Sequence, residues 1–283
     1  MGLERITANM IDEALANQNR DDKLTTVGAI ETGFIDLDYM LGGLKRGETY
    51  LLGGRPGMGK TAFAMNLMEQ IAVEHNHSVA FFPLDKGREY YIYSMIQHVS
   101  KVERRVHRKS FGRHFEKEVN IGKTRLENAR LYIDDTPGLN VAEMQKQLEK
   151  VEEPLDLIIV DYLQIMSCGI EGEDSIDSVN ALKLSQIAKW KNCPVLILSQ
   201  ICDAPDQRKQ HRPTIADLFE KGLESCVDHI IFLYRDDYYN PRTDMKNISE
   251  IIIARNKHGD SGTVLLGWLP EHNKFHSLGG VNI

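Results

Sequence analysis

Residues 50–61 read YLLGGRPGMGKT, and this stretch decides the fold. Its last eight residues, Gly54-Arg55-Pro56-Gly57-Met58-Gly59-Lys60-Thr61, match the pattern G-x-x-x-x-G-K-[ST] of a phosphate-binding loop. The apolar residues 50–53 predict a strand before the loop, and the apolar spacing in 61–74 predicts a helix after it. This order directs backbone N–H groups and a helix N-terminus toward a phosphate. The sequence therefore predicts a site for a nucleoside triphosphate.

Two side chains of this loop have expected chemical roles. Lys60 is expected to contact the β- and γ-phosphates of ATP, and the Thr61 hydroxyl is expected to ligate Mg²⁺. The magnesium shell needs a further acidic residue. Asp161 is the candidate because it follows the continuous apolar run 155–160, at the tip of a predicted buried strand. An Asp that only caps the next turn is the alternative.

Two more polar residues follow predicted strands. Gln200 ends the apolar strand at 195–199 and lies beside Asp161 if the two strands are neighbours. It is a candidate sensor of the γ-phosphate, with an ordinary surface glutamine as the alternative. Asp85 follows the strand at 78–83, which we expect next to the phosphate-loop strand. It is a candidate for positioning the attacking water, although a turn-forming Asp explains the residue equally well.

The remaining chain alternates between strand-like and helix-like segments. Strands are predicted at residues 50–53, 78–83, 131–134, 155–160, 195–198, 228–234, 248–255 and 263–269. Helices are predicted at residues 61–74, 89–100, 141–151 and 176–191. Apolar strands that alternate with helices predict an α/β fold, with a mainly parallel twisted sheet flanked by helices. The last strands, joined by turns, predict an antiparallel edge.

Composition narrows the class of protein. Of the 283 residues, 42% are apolar, which is enough for a large core, and no apolar run approaches the ~20 residues of a membrane span. The first ten residues lack a secretory signal, and the four cysteines form no C-x-x-C pair. We therefore expect a cytoplasmic protein with no membrane association. A net charge of −7 argues against a protein that binds nucleic acid over its whole surface. It is compatible with an oligomer that has a few basic loops in a central channel.

The N-terminal residues differ from the rest. Apolar residues at helical spacing in 5–20 predict an amphipathic helix, followed by a polar stretch. Its apolar stripe docks either on a neighbouring subunit or on its own domain. We expect a linker-like helix and connector at 1–24 and an ATPase domain at 25–283.

Several short motifs in a fixed order resemble the C-terminal ATPase domain of DnaB-type hexameric replicative helicases. They are Thr32–Asp38, the loop Gly54–Thr61, Ile133–Gly138, Val160–Gln164, Leu198–Gln200, Phe232–Tyr239 and Gly259–Thr263. The similarity runs from about Thr25 to Leu278. The resemblance implies a RecA-like P-loop fold, a ring of six subunits with ATP at each interface, and single-stranded DNA in the channel. It also implies a helicase loader or a primase as a partner.

The chain departs from the family pattern at catalytic positions. Where the family has Glu in a Ser-Leu-Glu-Met run, this chain has Asp85 followed by Lys86. The Asp side chain is one methylene shorter, and Lys86 adds a positive charge beside it. The Lys and Arg that the family uses across the subunit interface correspond to Arg255 and Lys257, in swapped order. A Lys in the finger position offers a point charge instead of a planar fork.

The loops that contact DNA in the family depart further. Acidic residues at Glu171, Glu173, Asp174 and Asp177 are expected to repel phosphate, and Phe219 stands where the family usually has Arg. Arg208, Lys209, Arg212 and Lys221 remain as candidate DNA-binding cations, with ordinary surface residues as the alternative. The family's primase-contacting N-terminal domain has no counterpart in the sequence, so we expect either an isolated domain or a short divergent member.

Three functions follow from the sequence. The favoured one is an ATP-hydrolysing helicase or translocase domain that acts on single-stranded DNA as a ring. The rival is a regulatory or structural ring that binds nucleotide but does not unwind, which the changes at Asp85 and Lys257 and the acidic loop at 171–177 favour. A small-molecule kinase is the third, and the sequence offers no recognisable acceptor site for it.

Overall fold

A computed structural model describes residues 26–100, 113–166 and 176–278. In these ranges nine strands form one sheet. The strands are β1 (Thr49–Gly54), β2 (Val79–Pro83), β3 (Leu131–Ile133), β4 (Leu157–Asp161), β5 (Val195–Gln200), β6 (His229–Tyr234), β7 (Ile248–Arg255), β8 (Gly262–Leu269) and β9 (Lys274–Ser277). Each of the eight predicted strands is therefore present, within a few residues of its predicted ends. The short strand β9 was not predicted.

The strand order is β3-β2-β4-β5-β1-β6-β7-β8-β9. Strands β3 to β6 in this order are paired in parallel, and β6 to β9 are paired antiparallel. The predicted parallel sheet with an antiparallel edge is confirmed. The expectation that β2 lies next to β1 is wrong, because β4 and β5 are inserted between them. Strands that follow each other in sequence need not be neighbours when helical crossovers join them.

The helices are α1 (Ile35–Leu41), α2 (Lys60–Met68), α3 (Arg88–Val99), α4 (Arg113–Glu127), α5 (Val141–Glu149), α6 (Ile176–Lys191), α7 (Ala204–Gln207) and α8 (Asp236–Tyr239). A π-helical turn at Glu69–Glu74 extends α2, so the four predicted helices are present. Helices α1 and α4 and the two short helices α7 and α8 were not predicted. The predicted helix at residues 5–20 and the acidic residues Glu171, Glu173 and Asp174 lie outside the described residues. None of the described helices is long and apolar enough to cross a membrane.

The sheet has a buried hydrophobic cluster on each side. Alternate residues of β1 divide between them: Tyr50 and Leu52 pack with α2, and Leu51 packs with α6 and its neighbours. Strands β1, β2, β4 and β6 are buried along their whole length. Strands covered on both faces read as continuous apolar runs, which is why the sequence identified them.

A close approach of backbone to side chain explains the glycine that precedes the phosphate loop. A Cβ atom at Gly53 would lie 2.7 Å from two ring carbons of Phe232, which is fully buried in the neighbouring strand β6. Only a glycine lets β1 and β6 pair at this point without displacing that ring. The glycine before the loop is therefore required by packing against Phe232, independently of ligand binding.

We expect Gly53→Ala to destabilise the fold by about 1–3 kcal/mol, the usual cost of overpacking a filled core. The measurement is thermal unfolding followed by circular dichroism. Gly87→Ala is the matched control, because Gly87 has a φ of −65° and an added Cβ would meet no atom of the described residues closer than 3.7 Å. Equal unfolding temperatures for Gly53→Ala and Gly87→Ala would contradict the packing account.

Candidate nucleotide site

The phosphate-binding loop lies between β1 and α2, as predicted. Gly57 and Gly59 have φ angles of 82° and 106°, in the left-handed region that favours glycine. The Lys60 ammonium donates hydrogen bonds to the carbonyl oxygens of Gly54 at 2.6 Å and Arg55 at 3.3 Å. Burial lowers the pKa of Lys60 to about 8. A phosphate beside it would favour the charged form, so the loop is built to receive an anion.

The other predicted loop residues differ in their environment. Met58 is buried in the core and Pro56 is exposed. The Arg55 guanidinium donates two hydrogen bonds to Asp206, at 2.6 and 2.9 Å, and one to the carbonyl of Ile201. Arg55 therefore ties the loop to the segment that contains α7.

Thr61 and Asp161 lie together, as a shared magnesium site requires. The Thr61 hydroxyl donates a 2.8 Å hydrogen bond to the Asp161 carboxylate. Asp161 ends β4 and is almost completely buried, and this burial raises its pKa to about 6 despite the Thr61 bond and the nearby Lys60 charge. The Tyr91 hydroxyl also donates to it. A hydroxyl and a carboxylate at the mouth of a phosphate loop are the hard oxygen ligands that Mg²⁺ takes, so the residues fit this ion.

A cavity of about 370 Å³ opens at this edge of the sheet. Its lining includes Gly57 and Gly59 of the loop and the predicted residues Lys60, Thr61, Asp85, Asp161 and Gln200. Asp85 reaches the cavity although β2 is not next to β1, because the carboxyl ends of all parallel strands share one edge. Five of the predicted catalytic and metal-ligating residues are thus brought to one pocket.

Gln200 is held by a residue that sequence reasoning left without a role. Strands β4 and β5 are neighbours, as its assignment required. The Gln164 side chain accepts from the Gln200 backbone N–H at 3.0 Å, and donates to the Ser199 hydroxyl and to the Asp177 carboxylate. Gln164 therefore connects the end of β5 to the start of α6. The only signal in the sequence was its place in the motif Val160–Gln164.

Asp177 has a different environment from the one expected. It is buried and accepts the 2.7 Å hydrogen bond from Gln164, so it does not form part of an exposed acidic surface. The Glu220 carboxylate accepts from the backbone N–H groups of Asp177 and Ser178 at the start of α6. A carboxylate at a helix N-terminus is favourable, and here it fastens the 217–222 loop to α6.

Three aromatic residues that line the cavity were missed as site residues. Tyr90, Tyr91 and Trp268 form part of its wall. The Lys86 ammonium, which also lines the cavity, lies 4.1 Å from the centre of the Tyr90 ring. Lys86 is therefore a second cation in the pocket, next to Asp85. No periodicity or spacing in the sequence indicated that a helix at 88–99 would cover this edge.

Arg255 and Lys257 lie at the opposite edge of the sheet from the loop. Arg255 pairs with Ile230 at the start of β6, and its guanidinium donates to the carbonyl of Glu224. The Lys257 ammonium is 3.2 Å from Glu48, which immediately precedes β1. Gly54 lies six residue steps from Glu48 along the extended strand, about 20 Å at ~3.3 Å per residue. These two cations therefore do not share a pocket with the loop of their own chain.

Lys257 belongs to a compact polar cluster. Its ammonium contacts the carboxylates of Asp228 at 2.8 Å and Glu48 at 3.2 Å. His229 and His258 contact the two oxygens of the same Glu48 carboxylate. Burial alone would raise the pKa of Glu48, but hydrogen bonds from His229, His258 and Lys257 outweigh it and lower the pKa to about 2. Glu48 therefore stays ionised and holds Lys257 in place.

The four candidate DNA-binding cations divide into two pairs. Arg208 donates two hydrogen bonds to Asp217, at 2.7 and 3.0 Å, and Arg212 donates two to Glu250, at 2.6 and 2.7 Å. Both arginines therefore brace this region internally. Lys209 and Lys221 are exposed, and neither forms an ion pair with any residue that the structure describes. Phe219, in the same loop as Lys221, is 53% exposed.

A parallel sheet with a phosphate loop on an interior strand defines the class of RecA-like α/β nucleotide-binding domains, as predicted. The chain belongs to the DnaB-like helicase C-terminal domain family, whose model matches residues 29–277. It is 36% identical to the replicative DNA helicase DnaC of Bacillus subtilis (strain 168) over 275 residues. The match covers 94% of this chain but 59% of that relative, so the chain spans little more than half of the relative's length.

The solved structures similar to this one include the following two. The first is described as an ATPase domain, with a TM-score of 0.89, 27% identity, and coverage of 97% of this chain and 100% of that one. The second is described as a DnaB-like replicative helicase and its interactions with primase. It has a TM-score of 0.87, 28% identity, and coverage of 98% of this chain and 68% of that one. Family membership is therefore established by sequence and by fold.

Proposed function

We propose that this chain is the ATP-hydrolysing motor domain of a ring-shaped DNA helicase, with its active sites completed between subunits. One observation carries the proposal: the phosphate loop and Asp161 lie at one edge of the sheet, and Arg255 and Lys257 lie at the other. In a single chain, the phosphate loop and the two cations are separated by about the length of β1, ~20 Å at ~3.3 Å per residue. Each chain therefore carries both parts of a site but cannot bring them together. A neighbour's cations can reach the nucleotide when copies stack head to tail around a ring.

In this proposal ATP binds with its phosphates on Gly54–Thr61. Lys60 contacts the β- and γ-phosphates, and Thr61 and Asp161 hold Mg²⁺, which neutralises charge on the phosphates when bound. The 2.8 Å contact between the Thr61 hydroxyl and Asp161 supports this assignment. The loop amides and Lys60 stabilise the charge on the transferring γ-phosphoryl group and on the departing ADP.

Asp85 positions the attacking water, and Gln200 senses the γ-phosphate. Both line the cavity that contains Lys60 and Thr61. Because Gln164 joins Gln200 to α6, and Glu220 joins α6 to the 217–222 loop, a shift at Gln200 has a physical route to that loop. This chain of hydrogen bonds is our candidate for coupling hydrolysis to movement on DNA.

Single-stranded DNA is the proposed track. Lys209 and Lys221 offer exposed cations for phosphate contacts, and the exposed Phe219 ring offers a surface on which a base can stack. Arg208 and Arg212 act indirectly, by bracing the segment through Asp217 and Glu250. The net charge of −7 confines DNA to such loops and argues against binding over the whole surface.

Family membership favours the motor over a ring that only assembles around nucleotide. We further propose a hexamer that works in the cytoplasm. A primase or a helicase loader is the proposed partner, because one similar structure is described with its primase interactions. The division into a linker-like helix at 1–24 and an ATPase domain at 25–283 stays part of the proposal.

The test is ATP hydrolysis by the purified protein with no DNA, with single-stranded DNA and with double-stranded DNA. We expect clear stimulation by single-stranded DNA, because Gln200 and the DNA loop are linked. Lys60→Ala is the negative control, because it removes the cation expected to contact the phosphates of ATP. We expect this variant to lose ATP turnover and to keep an unchanged circular dichroism spectrum. Tight ATP binding with negligible turnover under all three conditions would support the non-unwinding ring instead.

A second prediction concerns Asp85. We expect Asp85→Asn to keep ATP affinity but to slow single-turnover hydrolysis by ~100- to 10,000-fold, because only the transition state loses its partner. Asp244→Asn is the matched control, since Asp244 is exposed and does not line the cavity. Asp85→Glu restores the family's longer side chain. It should raise turnover if the short Asp is a handicap, and leave it unchanged or lower if the pocket has adapted through Lys86.

A rate for Asp85→Asn within about threefold of the parent, far below the effect expected of a general base, would remove Asp85 from the mechanism. Measuring under single-turnover conditions at saturating ATP and Mg²⁺ separates chemistry from binding and product release.

A further inference from the structure

A cluster of metal-ligating side chains lies outside the nucleotide site. Glu48 precedes β1, His229 begins β6, and His258 lies in the turn after β7. The Nε2 atom of His229 is 2.8 Å from one Glu48 oxygen, and the Nε2 atom of His258 is 2.6 Å from the other. One ligand atom from each of the three residues lies within 4.8 Å of the others. We propose that Glu48, His229 and His258 form a binding site for a divalent transition metal, with Zn²⁺ as the best match.

The donor set selects the metal. Two imidazole nitrogens and one carboxylate are a ligand set that zinc uses when a fourth position is left for water. Mg²⁺ and Ca²⁺ prefer all-oxygen sites, so the two imidazoles disfavour them. Ligand atoms around a tetrahedral zinc with bonds of ~2.1 Å are about 3.4 Å apart. The contact between a histidine and the Glu48 oxygen that binds the ion therefore needs to open by less than about 1 Å, and the second histidine, within 4.8 Å, needs to close on the same ion. The protons now shared in these hydrogen bonds would leave.

The site is largely preorganised. His229 is fully buried, and its ring stacks on Tyr50 with centroids 4.3 Å apart and planes 3° from parallel. Its Nδ1 atom is buried and has no hydrogen-bond partner among the described residues, which leaves the imidazole only half satisfied. Its Nε2 atom faces Glu48, so this nitrogen is the candidate ligand atom. The partly exposed His258 ring provides an entry path for the ion.

Metal binding at Glu48 would change the contacts of Lys257, the cation proposed to act on a neighbour's nucleotide. Its ammonium now contacts Glu48 at 3.2 Å and Asp228 at 2.8 Å. A divalent ion on Glu48 repels this ammonium and takes over its carboxylate, which leaves Asp228 as its anchor. The metal therefore changes how Lys257 is held at the subunit edge. Any effect on ATP turnover rests on the proposed role of Lys257, whereas the binding of metal does not.

The experiment is titration of the chelator-stripped protein with Co²⁺, followed by competition with Zn²⁺, in excess Mg²⁺ to occupy the nucleotide site. Four-coordinate Co²⁺ absorbs strongly in the visible range, and a thiolate ligand adds a near-ultraviolet band. We expect one ion per chain, visible absorption and no thiolate band. His258→Ala and Glu48→Gln should weaken binding by about 100-fold or more, beyond the effect of losing a supporting residue.

His276→Ala is the matched control, because His276 is an exposed histidine on β9, outside the cluster. His258→Ala is the decisive variant, since His258 is partly exposed and its loss leaves the buried His229 and its packing in place. Three results would each overturn the proposal. They are no binding at micromolar metal, binding that His258→Ala leaves unchanged, and a thiolate band that assigns the ion to cysteine.

Discussion

The parallel pairing of β1 with β5 and β6 is the interaction on which the rest of the structure depends. It aligns Gly54 with Gln200 and Gly53 with Phe232, so that the phosphate loop begins where the polar ends of the neighbouring strands meet. The pairing requires a glycine at position 53, because any Cβ there would strike the Phe232 ring. The strand pairing therefore determines the position of the phosphate loop relative to the neighbouring strand ends. It sets which side chains share the cavity, and the short contact between Thr61 and Asp161 is the result.

Strand β1 also keeps Lys257 away from the phosphate loop of the same chain. Extended residues connect the loop at one end of β1 to Glu48 at the other, and Glu48 holds Lys257. A rigid strand buried on both faces cannot shorten, so Lys257 and the loop of one chain stay at opposite edges. In the proposed ring, Arg255 and Lys257 of a neighbouring copy add positive charge to that of Lys60 at the loop. The proposed metal cluster lies at that edge, between the strand that carries the loop and the turn that carries the cation.

Local sequence patterns predicted the residues at the carboxyl ends of the strands. Features that depend on contacts between distant parts of the chain were not predicted. The loop, the buried strand before Asp161 and the strand before Gln200 each have patterns that a short window reveals. The position of β2 does not, because crossover helices can place a strand on either side of its predecessor. Strand β9 was missed because its four residues, Lys274–Ser277, show too short an alternation to identify. Arg208 and Arg212 were read as free cations because their partners Asp217 and Glu250 meet them only in the folded chain, at 2.7 and 2.6 Å.

Mixing two inactive variants tests whether each active site is built from two chains. Lys60→Ala removes the phosphate-binding lysine, and Lys257→Ala removes the cation at the opposite edge. Mixed rings contain some interfaces with an intact loop on one side and an intact Lys257 on the other. We expect the mixture to regain ATP turnover under conditions where subunits exchange, with a maximum at intermediate ratios. A mixture that stays as inactive as both parents, with exchange verified independently, would contradict it.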